Sequence, residues 1–148
     1  MKYTDPPIVV EETFQTTASS LWNAITDLQQ MRQWYFENID VFEPIVGTRS
    51  TFVIVVEDRT YTHLWEVTEV IPGEQITYNS NYQEYAGDAF VTFQVIPEEE
   101  KVKLRLIMEV VESFPDGIPE FSRESCIGGW NYFIKERLKA FLKESTHH

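Results

Sequence analysis

From Lys101 to Val110 the chain alternates, with Ile107 alone out of pattern. Val102, Leu104, Leu106, Met108 and Val110 share one parity, and Lys101, Lys103, Arg105 and Glu109 take the other. A period of two with one charged side describes an antiparallel strand that has one wet face. The same period predicts strands over Ser50 to Glu57, with Phe52, Ile54 and Val56 on one face, and over Ala89 to Ile96, with Val91, Phe93 and Val95 together. Ile76, Tyr78 and Tyr82 alternate along another, and Ile8 to Gln15 gives an early strand with Ile8, Val10 and Phe14 on one side. Ile39 and Val41 suggest one more, ended by Pro44 and Gly47. Tyr61 to Ile71 also reads as a strand, but His63, Trp65 and Val67 have one parity while Leu64 and Val70 have the other; a bulge would reconcile them. Turns are signalled at Glu57 to Thr60, at Pro72-Gly73, at Ala86-Gly87-Asp88 and at Phe114-Pro115-Asp116-Gly117.

Helical spacing occurs in two places. After the hydroxyls of Thr16, Thr17 and Ser19, which suit an N-cap, Leu21, Trp22, Ile25 and Leu28 follow at steps of one, three and three, and a second short helical stretch runs from Gln29 to Trp34. The long helix lies at the end of the chain, from Phe121 to Lys143. Ile127, Trp130, Ile134, Leu138 and Phe141 line one face of it, Phe133 and Leu142 widen that stripe, and Lys135, Glu136, Lys139 and Lys143 fall opposite. Gly128 and Gly129 interrupt it, each costing about 1 kcal/mol against Ala. Their bare backbone admits another backbone or leaves room beside Trp130.

One strand, two short helices, about six strands and one long helix make an α+β chain, read as a single domain over residues 1–148. A single helix about 10 Å across cannot cover a broad curved sheet unless large side chains fill the gaps. Either aromatic rings close that space or a cavity remains.

Composition bears on the same question. Aromatic residues make up 14% of the chain, with 4 Trp, 7 Tyr and 10 Phe, more than a small core requires. The net charge of −12 opposes contact with nucleic acid or an anionic membrane, both of which call for clustered Lys and Arg. The acidic run Glu98-Glu99-Glu100 reads as a solvated turn. With 1 cysteine, Cys126, neither an internal disulfide nor a thiolate metal site can form. No signal peptide is evident and no apolar run approaches a membrane span, so a cytoplasmic setting is expected. His147 and His148 have the look of a purification-tag remnant.

The segment from Phe14 to Asp27, FQTTASSLWNAITD, followed by Met31 to Tyr35, MRQWY, resembles the opening of the Bet v 1-like superfamily, also called START-like or SRPBCC. The similarity is strongest to the branch homologous to the C-terminal domain of the Hsp90 ATPase activator Aha1. The Gly47 turn, the strand end Glu69-Val70-Ile71-Pro72, and Gly129-Trp130 in a terminal helix closing with Leu138 and Leu142 continue the likeness over nearly the whole chain. It implies a helix-grip fold: a curved antiparallel β-sheet wrapped around a long C-terminal α-helix, with two short helices after the first strand and an apolar cavity between. The chain departs from the pattern at Ser50, where an aromatic is common. No stretch matches the separate N-terminal domain of the full co-chaperone, so Hsp90 activation is not expected.

No catalytic constellation stands out. His63 has no sequence-visible Ser or Cys partner and reads as structural. Cys126, one turn before Trp130, reads as an inert thiol. Arg49 and Arg59 could grip a ligand carboxylate but are expected to meet surface acids. Neither a metal site nor a cofactor is expected. The candidate cavity lining is Phe52, Ile54, Trp65, Tyr78, Tyr82, Phe93, Leu106 and Met108 from the strands, with Trp34, Trp130, Phe133 and Ile134 from the helices. Trp130, Trp34 and Tyr78 lead that set, because each carries a polar tip able to orient a ligand. The expected role is to hold a hydrophobic or aromatic small molecule, lipid-like or polyketide-like. The alternatives are a co-chaperone-like module that docks a protein partner through its acidic surface, and a cyclase- or dehydratase-like enzyme using His63 or a tyrosine.

Overall fold

The computed structural model describes residues 1–145; His147 and His148 lie outside them. Strand β1 (Ile8–Phe14) is followed by helices α1 (Ala18–Thr26) and α2 (Leu28–Trp34). Thr17 caps α1, its hydroxyl accepting from Ser20 N at 3.0 Å, and the Asp27 carboxylate caps α2 by accepting from Gln30 N at 3.1 Å. Then come β2 (Arg49–Val56), β3 (Arg59–Ile71), β4 (Gln75–Tyr82), β5 (Asp88–Glu98) and β6 (Lys101–Glu112). They form one antiparallel sheet in the order β1-β6-β5-β4-β3-β2, a meander with β1 added beside its last strand. The architecture is α+β, a curved open sheet with its helices on one side.

Alternation places the expected residues inside. On β6, Val102, Leu104, Leu106 and Val110 are buried, and on β5 so are Val91, Phe93 and Val95. The bulge expected in β3 falls between Val67 and Glu69. Before it Tyr61, His63, Trp65 and Val67 face inward; beyond it the parity switches, and Val70 pairs with the fully buried Ile76.

Ile39 and Val41 do not form the strand that their spacing suggests, so the sheet has six strands. Side chains tie this segment to the edge of β2 instead. The Asp40 carboxylate accepts from Thr51 N at 2.9 Å and from Val41 N at 2.8 Å, and the Ser50 hydroxyl donates to the Val41 carbonyl. The Asn38 amide donates to the Val53 carbonyl at 2.6 Å. These bonds occupy edge groups that a further ladder would have used. They also give the buried Ser50 a role that an aromatic hydrocarbon ring would not supply, since its hydroxyl bonds the Val41 carbonyl.

A 3-10 turn (Pro119–Phe121) leads into the terminal helix, which runs without interruption through α3 (Arg123–Asn131), a π-helical stretch (Tyr132–Leu138) and α4 (Lys139–Ser145). Its buried side chains are Trp130, Ile134, Leu138 and Leu142, spaced by four throughout; Phe141, expected on the stripe, is only half-buried. In a regular α-helix each step of four drifts about 40° around the axis. The wider π-helical turn absorbs that drift and keeps all four residues in the core.

Candidate ligand cavity between the terminal helix and the sheet

Small residues open a gap where the helix crosses the sheet. On β4, Ser80 lies between the inward rings of Tyr78 and Tyr82, paired across to Trp65 on one side and to the small Ala89 on the other. Opposite, on α3, a Cβ added to Gly129 would meet nothing within 4 Å. The same holds for Gly128, so neither glycine serves a close backbone approach; Gly129 leaves room. Between these positions lies a cavity of about 140 Å³, bordered by both Ser80 and Gly129 and partly open to solvent.

Its wall is a set of packed rings. Trp65 lies against Tyr78 with centroids 4.5 Å apart. Tyr35, immediately after α2, stacks on Trp34 at 4.9 Å and approaches Trp65 at 5.4 Å. Phe133 meets Tyr35 edge-on at 5.0 Å and Phe36 at 5.1 Å. Trp130, Met108 and Val91 close the other flank, and Cys126 lies one helical turn before Trp130. The lining contains no Asp, Glu, Lys or Arg.

The polar atoms fall into two groups. Some are already matched within the protein. The Tyr35 and Tyr78 hydroxyls meet at 2.7 Å, Trp130 donates its ring N–H to the Met108 sulfur at 3.4 Å, and Trp34 donates to the Ala24 carbonyl at 2.8 Å. Burial pushes both of those phenols well above the ordinary tyrosine range, so they stay protonated. Others make no hydrogen bond among the described residues: the His63 ring nitrogens, the hydroxyls of Ser80 and Tyr82, and the Trp65 ring N–H; each reaches open space, since no fully buried side-chain nitrogen or oxygen among the described residues is left without a partner. His63 is stacked flat on Phe52 at 4.6 Å and is 8% exposed. Burial pushes its pKa down to about 4, against an opposing pull from Glu84, so it is neutral at pH 7. Tyr82 is shifted upward by burial. Burial likewise pushes the Cys126 thiol up to about 11, which leaves it un-ionised and a poor nucleophile.

Of the side chains expected to line a cavity, Trp65, Tyr78, Tyr82, Met108, Trp130 and Phe133 border it. Phe93, Leu106 and Ile134 sit fully buried in the surrounding core, Phe52 backs His63, and Ile54 is half-buried farther along β2. Trp34 is fully buried behind Tyr35, its polar tip already bonded. Tyr35 and Phe36 were not expected there, because a residue past a helix end carries no periodic signal. Ser80 was not expected there either, whereas room beside Trp130 is one of the two expectations stated for Gly129. Arg49 pairs with Glu66 at 3.0 Å, and Arg59 with Glu120 at 2.7 Å, both outside the cavity. Among the described residues no group of three or more His, Cys, Asp and Glu is placed to hold a metal ion, and no helix is long and apolar enough to cross a membrane.

A family model described as activator of Hsp90 ATPase homolog 1-like protein matches residues 15–143. The chain belongs to that family, within the SRPBCC superfamily. No curated protein sequence matches the chain. Solved structures share the fold at low identity. A Chromobacterium violaceum protein has a TM-score of 0.75 at 20% identity, covering 90% of this chain and 94% of its own. A Mesorhizobium loti protein has a TM-score of 0.72 at 23% identity, with coverages of 94% and 98%. DynU16, a protein of the dynemicin biosynthetic locus, has a TM-score of 0.72 at 18% identity, covering 94% of this chain and 48% of its own.

Proposed function

We propose that this member of the activator of Hsp90 ATPase homolog 1-like family holds a compact, ring-bearing hydrophobic molecule between its terminal helix and its sheet. The observation that carries this reading is the hollow at Ser80 and Gly129: apolar-walled, partly open, and bounded by residues that leave space where neighbours fill it. Superfamily membership supports it, since the fold commonly binds hydrophobic ligands, and DynU16 belongs to a biosynthetic locus.

Volume selects among ligands. Drug-sized molecules occupy pockets of about 300–1,000 Å³. A hollow of about 140 Å³ is close to the engineered cavity of about 150 Å³ that accepts benzene. A single ring fits; an entire acyl chain or fused polyketide requires the mouth to open further. Burying a ring of roughly 200 Å² at about 25 cal/mol per Å² gives about 5 kcal/mol before ordering costs. That corresponds to a Kd in the high-micromolar range or weaker. Screening therefore belongs at millimolar ligand. Trp65 and Trp130 emission should change, and the melting temperature rise, on addition of toluene or indole; unchanged emission and melting across such a panel would remove the reading.

The family name and the net charge of −12 support a second reading, a co-chaperone-like module that docks a basic protein partner. Salt-sensitive capture of one defined basic partner by protein free of small molecules would favour it. A cyclase- or dehydratase-like reaction would draw on His63 and Tyr82, and full activity in His63→Ala would exclude His63 as its base.

A further inference from the structure

Resting on that cavity reading, we infer that the site selects an uncharged ring bearing a hydroxyl group, a phenol, and that His63, Tyr82 and Ser80 bind the hydroxyl. These three residues come together by register. His63 and Tyr82 are directly opposed partners on β3 and β4, with ring centroids 4.8 Å apart, and Ser80 lies one inward position from Tyr82 on the same strand. All three border the hollow, and none of their side chains makes a hydrogen bond among the described residues; their polar atoms reach its open space, since no fully buried side-chain nitrogen or oxygen is left unpartnered. Of the other polar tips at the wall, Tyr35 is matched with Tyr78, Trp130 with Met108, and Cys126 with the Glu120 carbonyl at 3.6 Å, while the Trp65 ring N–H, a donor only, makes no hydrogen bond among the described residues.

The unmatched set is bifunctional. A neutral imidazole offers one donor and one acceptor, and each hydroxyl offers both. A ligand group that both donates and accepts satisfies this set, whereas a purely apolar ring leaves it unpaired at a cost. Charge is excluded by the same wall. A carboxylate would enter without any Lys or Arg to meet it, and an ammonium without any Asp or Glu. Glu84, the acid whose charge acts on His63, is turned to the Thr62 amide at 2.7 Å and to the Thr62 hydroxyl. The neutrality of His63 at pH 7 agrees with this chemistry.

The test is calorimetric titration of the full chain at pH 7 with four probes of one ring size: toluene, p-cresol, benzoate and benzylamine. The inference expects p-cresol to bind about tenfold tighter than toluene, with benzoate and benzylamine at least tenfold weaker than p-cresol. Tyr82→Phe, which keeps the ring, should bring the ratio of p-cresol to toluene affinity from about ten to within about twofold of one, and a cooperative melting curve reports that the variant is folded; an unchanged ratio would overturn the role of the Tyr82 hydroxyl. Toluene binding as tightly as p-cresol would overturn the phenol assignment and leave the cavity reading standing, with water meeting the polar groups. Benzoate or benzylamine matching p-cresol would overturn it as well. Failure of both neutral rings would overturn the cavity reading and the inference with it.

Discussion

The hydroxyls of Tyr35 and Tyr78 meet at 2.7 Å in the buried interior, one carried by the chain just past α2 and the other by β4. The bond fixes the cavity wall, because it pins a residue without regular secondary structure to the sheet. Replacing either phenol by Phe strands the other hydroxyl, at a cost of about 1–3 kcal/mol. Replacing both removes the mismatch. Tyr35→Phe and Tyr78→Phe should each lower stability by about that amount in urea titration, and the double variant should lose clearly less than the sum. Additive losses would show that the hydroxyls do not act as a pair.

His63 should tie stability to pH. Its folded pKa of about 4 lies below its ordinary value of 6.5, so between those limits the unfolded chain binds more protons than the folded one. Stability then rises with pH across that window and is fully present above about 6.5. A shift of this size corresponds to roughly 3 kcal/mol at most. Between pH 4 and 6.5 the slope for His63→Leu should be flatter than for the parent chain, which cancels contributions from carboxylates common to both. Equal slopes would mean that His63 titrates as an exposed histidine.

The glycines divide by what surrounds them. Gly128 and Gly129 are helical with open space at the Cβ position, so Gly128→Ala and Gly129→Ala should each stabilise by about 1 kcal/mol. Gly87 has φ +117°, and the Phe114 ring lies 2.3 Å from where its Cβ would stand. Gly87→Ala should therefore destabilise by more than about 1 kcal/mol. Melting curves of the three variants check the ordering. Gly129→Leu, which reaches into the hollow, should fold and lose toluene binding.

Much of this architecture was legible because one-sided burial enforces a strict period. Val102 to Val110 could face the core only one way, and the conflicting parities of Trp65 and Val70, which a bulge would reconcile, are reconciled by the one seen after Val67. What failed to show in the pattern is held by interactions that have no period. Ile39 and Val41 alternate like a strand, but Asp40 and Ser50 bind that run through side chains. Steps of four from Trp130 to Leu142 look α-helical, and only the π-helical turn reconciles them with a single face. Within the cavity, strand parity brought out Trp65, Tyr78 and Tyr82. Trp34, expected at the cavity, lies in the core behind Tyr35, which no periodic pattern singles out, because α2 ends between them and the backbone turns.

The proposed function stands on a ring lodged between Gly129 and Ser80. Crystals soaked in bromobenzene test it most directly, since the bromine's anomalous signal locates the ring without reference to the protein phases. The account predicts a peak within the space bordered by Ser80, Trp65, Gly129 and Trp130, absent from crystals of Gly129→Leu. No peak there, or a peak only in the surface groove between Trp22 and Phe42, would contradict it.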